Sequence, residues 1–358
     1  MYKPLMAATL VAAALVLSAC GKDASHASGA APGADDAPVR ISVGSYNLNN
    51  LPFFVADAQG YFKDEGLQVK TENFAQGGSK VLQALVAGST DVAVGFYDHT
   101  IQMQAKRKDV TAFILLSRNS GLVLAGRNDG TFDPARPQTI QGMKVGITAP
   151  GSSSDFFVRH YLARNKIPET AVSLIGVGSG AAAVAALEQG KVDLLVNYDP
   201  AATLIAERKV GKILIDARSD AGARQVYGGL YPTSVLYAQS AFLQQRPQAV
   251  EKIVRAEQRA LAFIADHSGE QIVAALPDSY VSGDRATYAK AVENARAIFT
   301  RDGRFVPEDL ATPLAVLSEF NDGVAQAKVD LSKTYTNAFV DRALAAGGGA
   351  SATAAARQ

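Results

Sequence analysis

A segment that occurs twice constrains this chain more than any other feature. Residues 78–94, Gly-Ser-Lys-Val-Leu-Gln-Ala-Leu-Val-Ala-Gly-Ser-Thr-Asp-Val-Ala-Val, align without a gap on residues 180–196, Gly-Ala-Ala-Ala-Val-Ala-Ala-Leu-Glu-Gln-Gly-Lys-Val-Asp-Leu-Leu-Val. Both copies read as a glycine loop, a short helix, Ala-Leu-x-x-Gly-x-x-Asp and an apolar strand. Gly88 and Gly190 stand where a helix ends in the left-handed conformation, and Asp91 and Asp193 open the strand that follows. Each of two related lobes carries one copy.

The rest of the chain supports that division. Strand-like runs at 39–46, 67–74, 91–96 and 110–116 alternate with amphipathic segments, which predicts a largely parallel sheet covered by helices. The pattern restarts at 143–148 and continues through 172–175, 192–196 and 212–216. A chain of 358 residues also exceeds what one core usually holds. The predicted fold class is α/β, with two Rossmann-like lobes joined by a two-crossing hinge. One crossing is assigned to the polar, proline-bearing stretch 128–137 that follows a strand at 122–127; the other is 228–232, before a strand at 233–239. Lobe one is then discontinuous, 39–128 and 229–345, with helices at 247–267 and 284–300 packing back on it, and lobe two is 129–228.

The ends carry different signals. Lys3, an apolar run over residues 5–17, and Ser18-Ala19-Cys20 have the layout of an export signal too short to span a membrane. Leu17-Ser18-Ala19-Cys20 resembles the bacterial lipobox, so Cys20 is the expected site of lipidation, with an ordinary cleaved signal as the alternative. The expected location is periplasmic or cell-surface, anchored by lipid. Residues 21–38, rich in Ala, Gly, Ser, Asp and Pro, read as a flexible tether, and 346–358 as a disordered tail. Cys20 is the only cysteine, which leaves the folded part without a disulfide, a thiolate metal site or a cysteine nucleophile. Net charge is +1, and no basic stripe marks a nucleic-acid surface.

Several motifs resemble a known family: Leu51-Pro52-Phe53-Phe54-Val55-Ala56 with Gly60-Tyr61-Phe62-Lys63-Asp64-Glu65-Gly66-Leu67, then Gly77-Gly78-Ser79, residues 84–93, and Lys144-Val145-Gly146-Ile147 running into Gly151-Ser152-Ser153. Together they resemble the periplasmic binding proteins of the nitrate, sulfonate and taurine type, a group that includes receptors for pyrimidine precursors of thiamine. The resemblance spans nearly the whole mature chain. It implies the type II periplasmic binding protein fold, a solute held between hinged lobes, and delivery to an ABC permease and its ATPase by a monomer with no cofactor, no metal and no catalysis.

In open parallel sheets, ligands bind beyond the carboxyl ends of the strands. Three Gly/Ser loops fall there: Gly77, Gly78 and Ser79; Ser152, Ser153 and Ser154 after Gly151; and Ser179 between Gly178 and Gly180. Each can offer backbone N–H groups to an oxyanion, although glycine and serine also serve simply as N-caps. A helix N-terminus adds about 0.3–1 kcal/mol for an anion, whereas micromolar binding takes about 8 kcal/mol. Side chains at the strand ends must supply the difference. The candidates are Tyr46, Asn47, Asn49, Asn50, Tyr97, Asp98, Arg118, Tyr198 and Asp199. Arg118 could fork to a sulfonate or carboxylate. Asp98 and Asp199 instead fit a zwitterion or an amino-heterocycle, so the ligand class stays open.

Other classes fit less well. Gly176-Val177-Gly178-Ser179-Gly180-Ala181 matches a dinucleotide fingerprint, with Asp193 and Asp199 downstream. An export signal argues against a cytoplasmic cofactor, and the repeat already accounts for these glycines. No Gly-x-Ser-x-Gly elbow is present. His99 beside Asp98 reads as a polar cleft wall, since two residues do not make a metal site. Enzymes that make pyrimidines share this fold, and the export signal opposes that reading too.

Overall fold

Among the described residues, ten short runs form strands, most of them rich in β-branched and apolar residues: β1 (Val39–Val43), β2 (Val69–Asn73), β3 (Val92–Phe96), β4 (Val110–Leu115), β5 (Val123–Arg127), β6 (Lys144–Ile147), β7 (Ser173–Gly176), β8 (Leu194–Asn197), β9 (Gly211–Asp216) and β10 (Ser234–Gln239). They are seen in a computed structural model that describes residues 37–74 and 77–355. The expected export signal, Cys20 and the tether as far as residue 36 lie outside the described residues.

The strands make two sheets, ordered β2-β1-β3-β10-β4 and β7-β6-β8-β5-β9. Replacing β1 to β4 by β6 to β9 turns one order into the other. The duplicated segments occupy equivalent places, as the helix Gly78–Val86 leading into β3 and the helix Gly180–Glu188 leading into β8. Neither sheet is wholly parallel. β10 is antiparallel to β3 and β4, and β5 to β8 and β9. In each case the odd strand is the one that has just crossed from the other lobe.

That exchange corrects the predicted boundary. The sequence puts the first crossing at 128–137, but β5 pairs within the second sheet, so the chain crosses at 116–122, before β5. Residues 128–137 are instead a loop on lobe two, pinned by the Arg127–Asp129 and Arg136–Asp133 ion pairs. The return crossing is 228–233, between the helix Asp220–Tyr227 and β10. The two crossings run together. Thr233 donates its N–H to Ser117 O at 2.9 Å and its hydroxyl to Asn119 O at 2.6 Å.

Burial follows periodicity. The helix Pro247–Asp266 turns Val250, Ile253, Val254, Ala260, Leu261 and Ile264 into the core at three- and four-residue spacing. Each fully buried Val, Leu or Ile contributes about 1.5–3 kcal/mol. The helix Ala311–Phe320 reaches both lobes: Leu317 joins an apolar cluster of lobe one and Val316 one of lobe two. At its end Glu319 Oε2 lies 2.6 Å from His160 Nδ1, on a lobe-two helix. The last helix, Ala338–Ala355, runs into the stretch from 346 that composition assigns to a disordered tail, in keeping with the helix propensity of its alanines. Among the described residues, no helix is long and apolar enough to cross a membrane.

Candidate functional site

The carboxyl ends of β1, β3, β6 and β8 face one another across the gap between the lobes. Their loops come very close. A Cβ on Gly77 would stand 3.1 Å from the Ala149 Cβ of the opposite lobe, and one on Gly151 3.9 Å from Ser79. Glycine is also what lets backbone stack on backbone within lobe one, where a Cβ on Gly44 would lie 2.5 Å from the carbonyl carbon of Gly77. Leu48 N–H donates to Asp199 O at 3.0 Å, another bond between lobes.

Between these loops lies a small cavity of about 20 Å³, lined by Ser45, Asn47, Asn50, Gly78 and His99 from lobe one and by Ser152, Ser153 and Tyr198 from lobe two. That is room for about one water molecule. A second cavity, of about 510 Å³, shares Ser45 with the first and is walled by Tyr46, Tyr280, Ser282 and the loop of Gly178, Ser179 and Gly180. Tyr46 and Tyr280 rings sit 5.2 Å apart, with Phe54 behind both.

The inner cavity is flanked by polar atoms that lack partners. Asp98 is 0% exposed, His99 1% and Ser153 6%. Asp98 Oδ2 accepts from Tyr231 and His99 Nδ1 meets the Tyr237 hydroxyl, both at 3.2 Å, whereas Asp98 Oδ1 and His99 Nε2 make no hydrogen bond and face one another at 3.9 Å. Ser153 Oγ lies near enough to Asp98 to favour its ionised form, yet makes no hydrogen bond of regular geometry. Burial pushes the Asp98 carboxyl above its ordinary range, against the pull of His99, Ser153 and Tyr231. Burial likewise holds His99 below its usual value, against the Asp98 charge. Tyr198 is raised to about 12 by burial, with the Thr148 and Ser45 hydroxyls opposing. Buried polar groups are almost always hydrogen-bonded, so a cluster of exceptions calls for an explanation.

Not every predicted residue reaches this place. Asn47, Asn50, Gly78, Ser152, Ser153 and Tyr198 line the inner cavity, Tyr46 and Ser179 the outer, and Asp98 lies beside the inner one. Gly77 and Ser79 hold the loop contact described above. Ser154 is structural: its hydroxyl accepts from Thr148 N–H at 2.9 Å. Asn49 is turned to the hinge, donating to Ser120 O at 2.7 Å. Tyr97 points into the lobe-one core, with its hydroxyl on Thr334. Arg118 pairs with Asp220 at 2.8 Å on the hinge, and Asp199 is taken up by Thr203 and by Arg218 at 3.2 Å. Arg118, Tyr97, Asn49 and Asp199 line neither cavity in this structure, and each has a hydrogen-bonding or ionic partner in the framework. The sequence reading missed Ser45, Tyr280 and Ser282. The last two lie beyond position 270 in the chain, after the second crossing and outside the three Gly/Ser loops at the strand ends.

Two matching lobes, a two-crossing hinge and a polar cavity at the facing strand ends define the class of two-lobed binding proteins. The chain belongs to the NMT1/THI5-like family, which matches residues 47–271. Among proteins of known structure, one from Bordetella bronchiseptica RB50 is 36% identical, with a TM-score of 0.81 over 86% of this chain and 96% of that one. The periplasmic nitrate-binding protein NrtA of Synechocystis PCC 6803 shares the fold at 16% identity, with a TM-score of 0.68 over 86% and 88% of the two chains. A protein of Bacillus subtilis (strain 168) named "Putative binding protein YtlA" is 23% identical over 71% of this chain and 74% of its own. A 4-amino-5-hydroxymethyl-2-methylpyrimidine phosphate synthase of Aspergillus parasiticus is 24% identical over 81% and 83%.

Proposed function

We propose that this protein is the extracytoplasmic, lipid-anchored receptor of an ABC importer, which closes its lobes on a small polar solute and presents it to the permease. The observation that carries the reading is the cavity lined by both lobes, with an unpartnered polar atom from each, His99 Nε2 from one and Ser153 Oγ from the other. A solute that satisfies both sets at once binds the closed form better than the open one, and only such differential binding shifts the equilibrium between them. The fold's relatives among ABC import receptors support the same role.

Small-angle scattering tests it. Adding a bound solute to the purified protein should shrink the radius of gyration; an unchanged radius at saturation would sink the receptor reading. Thermal shift finds the solute, since a ligand at a hundred times its dissociation constant adds about 2.7 kcal/mol to stability. The panel should span sulfonates, carboxylates, zwitterions and pyrimidines. A pyrimidine cargo, or pyrimidine synthesis, is the second reading, favoured by the 24% identity to the Aspergillus synthase. Mass spectrometry of the pyrimidine after incubation separates them: a receptor returns it unchanged.

The hinge supplies a further expectation. Arg118 and Asp220 are 41% and 45% exposed, so their ion pair is screened by water. Arg118→Ala should lower stability by at most about 1 kcal/mol, and calorimetry should find solute affinity unchanged.

A further inference from the structure

We infer that the end of lobe one remote from the cleft is an adhesive face for an anionic lipid surface, and that it lies against the bilayer in which the chain is anchored. The inference rests on the lipid anchor of the receptor reading and adds to it which end of the protein faces the membrane.

Strands β1, β2, β3 and β4 run in one direction, so all four begin at this end. The helix Asp98–Ala105 starts by the cleft and finishes here, in Lys106, Arg107 and Lys108 just ahead of β4. Lys70 holds the second place of β2. Gln104 brings in the loop that carries Lys328 and Lys333, donating to Asp330 O at 2.6 Å and accepting from Asp330 N–H at 2.7 Å. All six cations are exposed. Lys333 has Asp330 at 3.8 Å, whereas Lys70, Lys106, Arg107, Lys108 and Lys328 have no ion pair among the described residues. Asp91, at the head of β3, is taken up by Arg40. Asp109 and Asp330, with Asp35 and Asp36 in the sequence just before the described chain, still leave the cations in excess. A helix dipole favours cations at its carboxyl end, which accounts for Lys106 and Arg107. It does not account for Lys70 or Lys333, on a strand and a short 3-10 turn. Arg107 and Lys328 are also left-handed, with φ of +56° and +46°, where glycine fits more easily.

Arg208 and Lys209, after the helix Ala201–Glu207, make the far end of lobe two basic as well, so charge alone does not choose an end. The course of the chain does. Val39 opens β1 at the lobe-one end, and Arg246 Nη2 donates to Ala37 O at 2.6 Å where the described chain starts. Strand β4 lies three strand spacings from β1, about 14 Å. Only residues 21–36 separate that point from Cys20, a reach of at most about 55–60 Å. Attraction between charges dies away over about 8 Å at physiological ionic strength. An end held at the bilayer therefore feels anionic headgroups, and an end on the far side of the cleft does not. Each Lys or Arg at such a surface adds about fivefold to lipid partition.

The single cysteine makes the test direct. The mature chain is coupled through Cys20 to a maleimide lipid in vesicles of phosphatidylcholine, alone or mixed with phosphatidylglycerol, that also carry a dansyl lipid. The chain has no tryptophan, so Ala327→Trp reports energy transfer from the lobe-one end and Gln189→Trp from the far end of lobe two. Transfer from Ala327→Trp should rise when phosphatidylglycerol is present and exceed that from Gln189→Trp. It should fall back in about 1 M salt, where screening shortens to about 3 Å. Reversing Lys106→Glu, Arg107→Glu and Lys108→Glu together should abolish the rise, since three cations correspond to about a hundredfold in partition. The contrast between lipids and between reporters decides even if the reversed variant folds poorly. Equal transfer from both ends, or with both lipid compositions, overturns the inference and leaves the solute receptor intact. Unmodified Cys20 in the exported protein, seen by mass spectrometry, overturns the lipid anchor of the receptor reading and the inference with it.

Discussion

Replacing Glu257 by leucine is expected to stabilise the protein by about 1–3 kcal/mol at neutral pH, the range for relieving a buried polar group of its missing partners. Glu257 is 0% exposed in the middle of the helix Pro247–Asp266, and neither carboxylate oxygen has a hydrogen bond. Burial, and then the Asp57 charge, push its pKa well above the usual carboxylate range. Because the folded pKa is raised, the folded state binds a proton that the unfolded state releases. The stability from that proton is complete below the unfolded pKa, near 4.5, and is lost as pH rises through the folded value. Across that window the slope is about 1.4 kcal/mol per pH unit for one group. Glu257→Gln keeps the shape and removes the titration, so its denaturation midpoint should fall less between pH 5 and 8 than the parent's, as about one proton's linkage requires. Leucine adds a strong helix former on an apolar face. Parallel pH profiles for parent, Gln and Leu that coincide would show that Glu257 has a partner and is not strained. Solute binding should be unaffected, since Glu257 lines neither cavity.

The framework was legible because its signals are local. Turn glycines, β-branched runs and the repeated Ala-Leu-x-x-Gly-x-x-Asp report on a few neighbouring residues, and the strands and their equivalent halves follow from them. β5 shows the limit. Its run of Val123, Leu124 and Ala125 suits the core of either lobe equally well, so only its hydrogen bonds to β8 and β9 reveal which side of the hinge it is on. The site was legible in part for the same reason. Strand ends locate a residue, but not which way its side chain turns: Tyr97 points into the core while Asp98, one position on, lies by the cleft. Charge partners are equally hidden. Asp220, which takes Arg118 out of the site, is 102 residues away, and Tyr280, which walls it, follows the second crossing by nearly fifty positions.

Gly44→Ala should damage the site more than any change of a polar side chain within it. A methyl at Gly44 would meet Gly77 C at 2.5 Å, Gly78 N at 2.7 Å and Gly77 O at 2.8 Å, and all three atoms are backbone. No rotamer can yield, and the Gly77 N–H bond to Gly44 O at 2.9 Å holds the two segments together. The loop at 77–79 must then move, and its outer side already faces Ala149 of the other lobe. Overpacking of this kind costs about 1–3 kcal/mol. The loop shift also carries Gly78, over which His99 packs, so that a Cβ there would lie 2.8 Å from His99 Cε1. A displaced loop blocks full closure and disturbs His99 together, so solute affinity should fall about tenfold for each 1.4 kcal/mol of binding lost. Gly60→Ala is the control. Gly60 is left-handed, with φ of +71°, and a Cβ there meets nothing within 4 Å, so alanine strains the backbone by about 1–2 kcal/mol without touching the cleft. If calorimetry found the two variants binding the solute equally well, the close approach of Gly44 to the Gly77 loop would have no part in forming the site.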